Sequence, residues 1–526
     1  MAGLPGDHMR AGFGLPKGAC LFELPQLSLE CGEVLAPCHI AYTTYGELNA
    51  ARDNTVLVGH SLTSNSNVAE WWAPMLGAGE SYALDTSRHF VICPNFLGSP
   101  YGSTSPVTIV GGEEGKPPLG ANFPAPVTLR DNVAAQRLLL KSLGIERCKA
   151  VVGGSMGAML ALEWACCHPD KVGQLIMIAG CGRHTDWQIG MQEAHRQAIY
   201  SDTKWQGGQY TGKGEDAPNQ GLATARMMAM LSYRAPASVA ERFNRGLQEE
   251  AGAGGASGGA QERPTAAGMV RSESQQSLPF FQVQSYLQHQ GKKFIERFDA
   301  RCYVSLSHTL DSHDVGRGRK LGYFDVLASL PHRALVVGID SDVLYPLELQ
   351  AEVAEHMPHG ILHVIHSPHG HDSFLIEIDA LNKTCCDFLR GEGSALEAEQ
   401  LLDSPLQRKA SVETALKPMN AKGSVESLAH RVWELERQLA AALEMAEAER
   451  EEASTLRERL AAKGGGAAAE QAASARRARQ AWGMVAPARS GAMPANPPPS
   501  RRLLADLPGP IFGKLPERSA HGAGFA

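Results

Sequence analysis

The sequence predicts an α/β fold: a mostly parallel sheet covered by helices on both faces, with a helical lid inserted between two of its strands. Short apolar runs recur at residues 55–58, 90–93, 150–152 and 175–179, and a helical stretch at 129–142 separates two of them. Alternation of this kind yields parallel strands joined by crossover helices. From about residue 183 to 322 the pattern turns helical and polar, and apolar strands resume at 334–339 and 361–365. The polar stretch therefore reads as a lid threaded between strands.

Each element carries its own signal. The helix at 129–142 has Thr128 before it as N-cap, a position where a hydroxyl accepts from an unpaired first-turn amide. The run 150–152 leads into Gly153-Gly154-Ser155-Met156-Gly157, and an apolar helical stretch follows from about Ala158 to Cys167, with Pro169 as its stop signal. Strand, G-x-S-x-G turn and helix in succession are the context of a nucleophile elbow. The turn strains Ser155, so only small neighbours fit at Gly153 and Gly157. The helix aims its positive end at the serine oxygen, and the amide of Met156 is left to hold an oxyanion. Within the lid, 249–276 is rich in Gly, Ala and Ser and reads as a flexible insertion. The domain closes with a helix near 381–389.

A serine nucleophile needs a base and an orienting acid, which follow it in the order Ser, Asp, His in this kind of fold. The strand 334–339 is followed by Asp340-Ser341-Asp342, and the strand 361–365 by His366-Ser367-Pro368-His369-Gly370-His371. Both loops lie past strand C-termini, where open α/β sheets build their sites. Spacing leaves Asp340 in competition with Asp342, and His366 and His369 in competition with His371.

The 526 residues exceed what one such domain needs. After Gly391, residues 392–423 are polar and linker-like. In 424–463, apolar side chains recur in steps of three and four from Val425 through Leu428, Val432, Leu435 and Leu439 to Leu460, interrupted by Glu449. That is a heptad seam, and it predicts a coiled coil and self-association. Residues 464–526 are rich in Ala, Arg, Pro and Gly and read as a disordered tail. The formal net charge of −7 gives no reason to expect a nucleic-acid partner. Eleven cysteines in no paired spacing, four of them in the adjacent pairs Cys166-Cys167 and Cys385-Cys386, predict reduced thiols and a cytoplasmic location. Residues 1–17 lack an apolar signal core, organelle import stays open, and no run is long enough to cross a membrane. No Cys/His cluster has metal-ligand spacing.

The ordered motifs resemble the homoserine O-acetyltransferase family, acyltransferases of α/β-hydrolase fold. The resemblance runs from about Pro16 to Gly391, within a domain of residues 1–391. It rests on His60-Ser61-Leu62-Thr63, Asn95-Phe96-Leu97-Gly98, Thr128-Leu129-Arg130-Asp131 and the elbow. It continues through Arg196-Gln197-Ala198-Ile199, Gly221-Leu222-Ala223-Thr224-Ala225-Arg226, Ser341-Asp342-Val343-Leu344-Tyr345-Pro346 and Gly370-His371-Asp372. The chain departs from the family pattern at Ala158, at Ser64-Asn65-Ser66-Asn67, and in the loop from Phe96 to Tyr101. The resemblance implies Ser155, Asp342 and His371 as the triad, and the amides of Leu62 and Met156 as the oxyanion hole. It implies Thr63, Arg226, Tyr233 and Asp372 as the substrate-binding residues, with Arg226 on a carboxylate and Asp372 on an ammonium. The implied reaction moves an acetyl group from acetyl-CoA to L-homoserine, for methionine biosynthesis, with no further cofactor and in a homodimer. Succinyl-CoA as donor, L-serine as acceptor, and plain ester hydrolysis are the alternatives.

Overall fold

A computed structural model describes residues 13–110, 116–211, 214, 216–248 and 280–391. The insertion at 249–276, the linker at 392–423, the heptad seam at 424–463 and the tail at 464–526 lie outside the described residues.

The eight strands of the main sheet are β1 (Cys20–Leu24), β2 (Cys38–Tyr45), β3 (Thr55–Gly59), β4 (Phe90–Pro94), β5 (Cys148–Gly154), β6 (Val172–Ile178), β7 (Arg333–Ile339) and β8 (Gly360–Ile365). Their order across the sheet is β1-β2-β4-β3-β5-β6-β7-β8. The β1–β2 and β2–β4 pairs are antiparallel, and every later pair is parallel. The first two strands add an antiparallel edge that the hydropathy pattern does not announce. β1 is only half covered and β2 mixes buried Ile40 and Ala41 with polar His39 and Thr43.

Side chains on a strand alternate between faces, and the two faces form two cores. Leu57, Val151, Leu175, Met177 and Val336 point to one, where Leu139, Met159 and Leu162 cover them. Val56, Val58, Val152, Ile176 and Val337 point to the other, under Phe374, Leu381 and Phe388. The covering helices are α1 (Leu129–Ser142) and α2 (Met156–Cys167) on the first face. Thr128 caps α1 as expected: the Asp131 amide donates to its Oγ1 at 3.2 Å, and its own amide donates to Asp131 Oδ2 at 2.7 Å.

Between β6 and β7 the lid contributes α3 (Asp186–Tyr200), α4 (Asn219–Ser232), α5 (Pro236–Phe243), α6 (Gln282–Ile295), α7 (Ala300–Asp311) and α8 (Tyr323–Ala328). α9 (Leu347–His356) joins β7 to β8, and α10 (Ile378–Arg390) ends at Gly391, whose φ of 83° suits a residue without Cβ. All eleven cysteines are free thiols. No helix among the described residues is long and apolar enough to cross a membrane.

This topology places the site. β4 lies on one side of β3 and β5 on the other, so the chain reverses direction across the sheet there. Ligands of open α/β sheets bind outside the carboxyl ends of strands at such a point. Ser155 follows the last residue of β5.

Candidate active site

The turn at Ser155 is tighter than the motif alone conveys. Ser155 has φ 57° and ψ −121°, a conformation that costs a residue with a side chain about 1–3 kcal/mol. A Cβ on Gly153 would strike the carbonyl of Gly157, and one on Gly157 would strike the carbonyl of Gly59. One on Gly59 would sit 2.8 Å from the Gly157 oxygen. Three bare backbones therefore let β3, β5 and α2 converge. Because Ser155 is not helical, α2 begins at Met156, two residues before the position expected from the sequence. Met156 is the first helical residue, and its N–H is one of the amides a helix start leaves without an intrahelical partner.

The loops after β7 and β8 meet Ser155. His371 Nε2 stands 2.9 Å from Ser155 Oγ, and His371 Nδ1 stands 2.6 Å from Asp342 Oδ2. The other carboxylate oxygen, Oδ1, accepts the amides of Leu344 at 2.8 Å and Tyr345 at 2.9 Å. All three side chains are buried. The carboxylate fixes the Nδ1–H tautomer, which turns the lone pair of Nε2 toward Ser155 Oγ. The competing residues are engaged elsewhere. Asp340 pairs with His366 at 2.9 Å on the exposed rim, and His369 Nδ1 lies 3.1 Å from Ser238 Oγ.

Burial alone would push the His371 pKa down. The charge and hydrogen bond of Asp342, aided by Asp372, outweigh it and hold the imidazole above its ordinary value. Burial likewise raises the Asp372 carboxyl, against the opposing pull of Arg234, His371 and Arg226.

The loop after β3 carries Leu62, which is buried, and Thr63, whose carbonyl accepts from Arg297 at 2.9 Å. His60 fastens this loop. The Phe96 amide donates to its Nε2 at 3.2 Å, so Nδ1 carries the proton and donates to the Ser61 carbonyl at 2.8 Å. Burial pushes the His60 pKa down to about 4, which keeps the ring neutral.

The lid closes the site from above. Arg226 lies on α4 with its guanidinium carbon 4.9 Å from the Phe294 ring centre and 5.3 Å from that of Tyr233. Its Nη1 is buried without a hydrogen-bond partner. Tyr233 follows the last residue of α4 as its C-cap, its ring centre 6.0 Å from that of His371. The Tyr233 carbonyl accepts the Asp372 amide at 3.0 Å. Asp372 is not free: Arg234 Nε forms an ion pair with its Oδ2 at 3.1 Å. Sequence reasoning missed Arg234, Arg297 and the fastening role of His60, since no local pattern relates them to the loops they hold. Among the described residues no cluster of His, Cys, Asp or Glu could hold a metal ion.

The fold and this row of side chains define the class: an α/β-hydrolase-fold protein with a serine at its elbow. The profile of the alpha/beta hydrolase fold matches residues 54–377. Homoserine O-acetyltransferase of Salinibacter ruber is 48% identical over 363 residues, spanning 68% of this chain and 94% of its own. The chain belongs to the homoserine O-acetyltransferase family. The crystal structure of homoserine O-acetyltransferase from Bacillus anthracis matches with a TM-score of 0.60 at 23% identity, covering 70% of this chain and 97% of that one. Esterase E22 matches equally well, with a TM-score of 0.60 at 24% identity over 70% of this chain and 99% of its own. These two likenesses speak for the fold, which houses transferase and esterase alike.

Proposed function

We propose that the protein transfers an acetyl group from acetyl-CoA to the hydroxyl of L-homoserine through an acetyl-serine intermediate. His371 Nε2 takes the proton of Ser155 Oγ as the oxygen attacks the thioester carbonyl. The amides of Met156 and Leu62 hold the oxyanion, at roughly 3 kcal/mol per donor. The C–S bond breaks, and the imidazolium returns its proton to the departing sulfur. Homoserine then enters with its carboxylate on Arg226 and its ammonium at Asp372, beside Thr63 and Tyr233. His371 accepts the proton of its hydroxyl, which attacks the acetyl carbonyl; the ester bond to Ser155 then breaks, and the imidazolium returns its proton to Ser155 Oγ. Acetyl-CoA is a substrate, and the chemistry calls for no further cofactor. The product, O-acetyl-L-homoserine, feeds methionine biosynthesis. The free thiols suit a cytoplasmic location, and the family resemblance supports a homodimer.

The observation that carries this reading over ester hydrolysis is the buried, unpartnered Nη1 of Arg226. A hydrolase needs only water as its second substrate, whereas a guanidinium fork so placed suits a carboxylate. The test is mass spectrometry of the protein mixed with acetyl-CoA alone, then with homoserine, serine or buffer. An acetyl adduct on Ser155, absent in Ser155→Ala and discharged fastest by homoserine, is the expected result. Discharge at equal rate in buffer would make the protein an esterase, and faster discharge by serine would change the acceptor.

A further inference from the structure

The segment that follows Asp342 is held from the lid. At the start of α3, Trp187 Nε1 donates to the Val343 carbonyl at 3.1 Å and Gln188 Nε2 donates to the Leu344 carbonyl at 2.6 Å. Just before the helix, His184 Nε2 stands 2.8 Å from the Tyr345 hydroxyl. One turn of the lid thus grips three consecutive residues of the acid loop.

The two carbonyls belong to particular peptide planes. The carbonyl of Val343 shares its plane with the amide of Leu344, and the carbonyl of Leu344 shares its plane with the amide of Tyr345. Those two amides are the donors to Asp342 Oδ1. A peptide is rigid and planar, so fixing its oxygen fixes the direction of its N–H. Each plane is therefore pinned at both ends, by the lid at the oxygen and by the carboxylate at the nitrogen. A donor on the carbonyl also strengthens the hydrogen bond given by the amide. Gln188 is itself held, since its Oε1 accepts the Thr185 amide at 2.9 Å in the capping box of α3.

We propose that Trp187 and Gln188 are positioning residues for Asp342, setting the two peptide planes that orient its carboxylate and, through it, His371. The first turn of the lid is then part of the catalytic machinery as well as its cover. The inference rests on the reading of Asp342 as the triad acid. It does not depend on which acyl group or acceptor is used.

The test uses the full chain with two substitutions. Trp187→Phe removes the indole donor from a side chain that is 57% exposed, so folding is little affected. Gln188→Met keeps an unbranched side chain of similar length and removes the donor to Leu344 without adding a charge near Asp342. The groups facing the His371 imidazole are Ser155, Asp342, Asp372, Tyr233 and Tyr345, and both variants leave them in place. In the double variant, kcat for thiol release should fall roughly tenfold with KM for acetyl-CoA unchanged. That is less than the ~100-fold loss expected of a full ångström of misplacement. The acid limb of the rate profile should move to lower pH as Asp342 loosens its hold on His371. The downfield proton resonance of the Asp342–His371 hydrogen bond should broaden or shift upfield. A folded double variant with wild-type kcat, acid limb and resonance overturns the proposal. If the double variant does not fold, Trp187→Phe alone carries the same three readouts. The resonance reports the bond regardless of substrate, so a wild-type protein without an acetyl-serine adduct would sink the proposed function and leave the clamp to be judged on the resonance.

Discussion

Replacing Arg226 separates binding of the acceptor from formation of the acyl-enzyme. The side chain reaches from α4 across the Phe294 and Tyr233 rings, and its Nη1 is buried with no partner. A substrate carboxylate there would receive a charge-assisted hydrogen bond in a site already shielded from water. Losing such a bond costs on the order of 2–4 kcal/mol once the unmatched carboxylate is counted. At 1.4 kcal/mol per decade this is about 30-fold to about 700-fold in kcat/KM for homoserine. Arg226→Met is the better variant, because it keeps an unbranched stem against Phe294 and removes only the guanidinium. Thiol release from acetyl-CoA alone reads acylation, and mixing preformed acetyl-enzyme with homoserine reads the second half-reaction. Arg226→Met should leave the first intact and depress the second by the stated factor. Equal loss in both halves would refute the argument and assign Arg226 to packing.

Two further predictions concern pH and chain length. His371 acts as a base only when neutral and its pKa is held above the ordinary histidine value of about 6.5, so acylation should fall as pH drops through that raised value; an acid limb below the ordinary value contradicts this. The same shift has the opposite sign for stability: the protonated His371–Asp342 pair stabilises the fold fully below the unfolded pKa, and the contribution is lost as pH rises through the folded pKa, which melting curves across this range will show. Every proposed site residue precedes Gly391, so a chain ending there should fold and turn over; a soluble, monodisperse truncation that is inactive at saturating substrate would overturn the confinement of catalysis to residues 1–391, and one that fails to fold would move the domain boundary.

The parallel strands and the elbow were legible because each is a local pattern: an apolar run, or glycines at fixed offsets from a serine. The antiparallel strands β1 and β2 were not, since their half-buried, mixed faces resemble loops until they pair. The acid and base were only partly legible. Asp340 and Asp342, like His366 and His371, are near neighbours in sequence, and what separates them is that one pair ends at the rim and the other turns inward to Ser155. Arg234 is ordinary in the sequence and becomes informative only when Asp372, 138 residues on, is found at 3.1 Å. Trp187 and Gln188 are likewise invisible as partners of residues 156 positions away.

The crossing of β3 and α2 bears on how such a chain can diverge. Most tight contacts join two side chains, and an enlargement on one side can be accommodated by a reduction on the other. At Gly59 and Gly157 the obstacle met by a new Cβ is backbone in both directions. There is nothing to shrink in reply. No second-site substitution at the partner can rescue a side chain at either position, and their mutational histories are locked rather than correlated. A descendant that changes either glycine must also move the strand or the helix. Because that helix starts at the residue after Ser155, such a lineage would give up the serine's geometry at the same step, whichever acyl group or acceptor it had come to use.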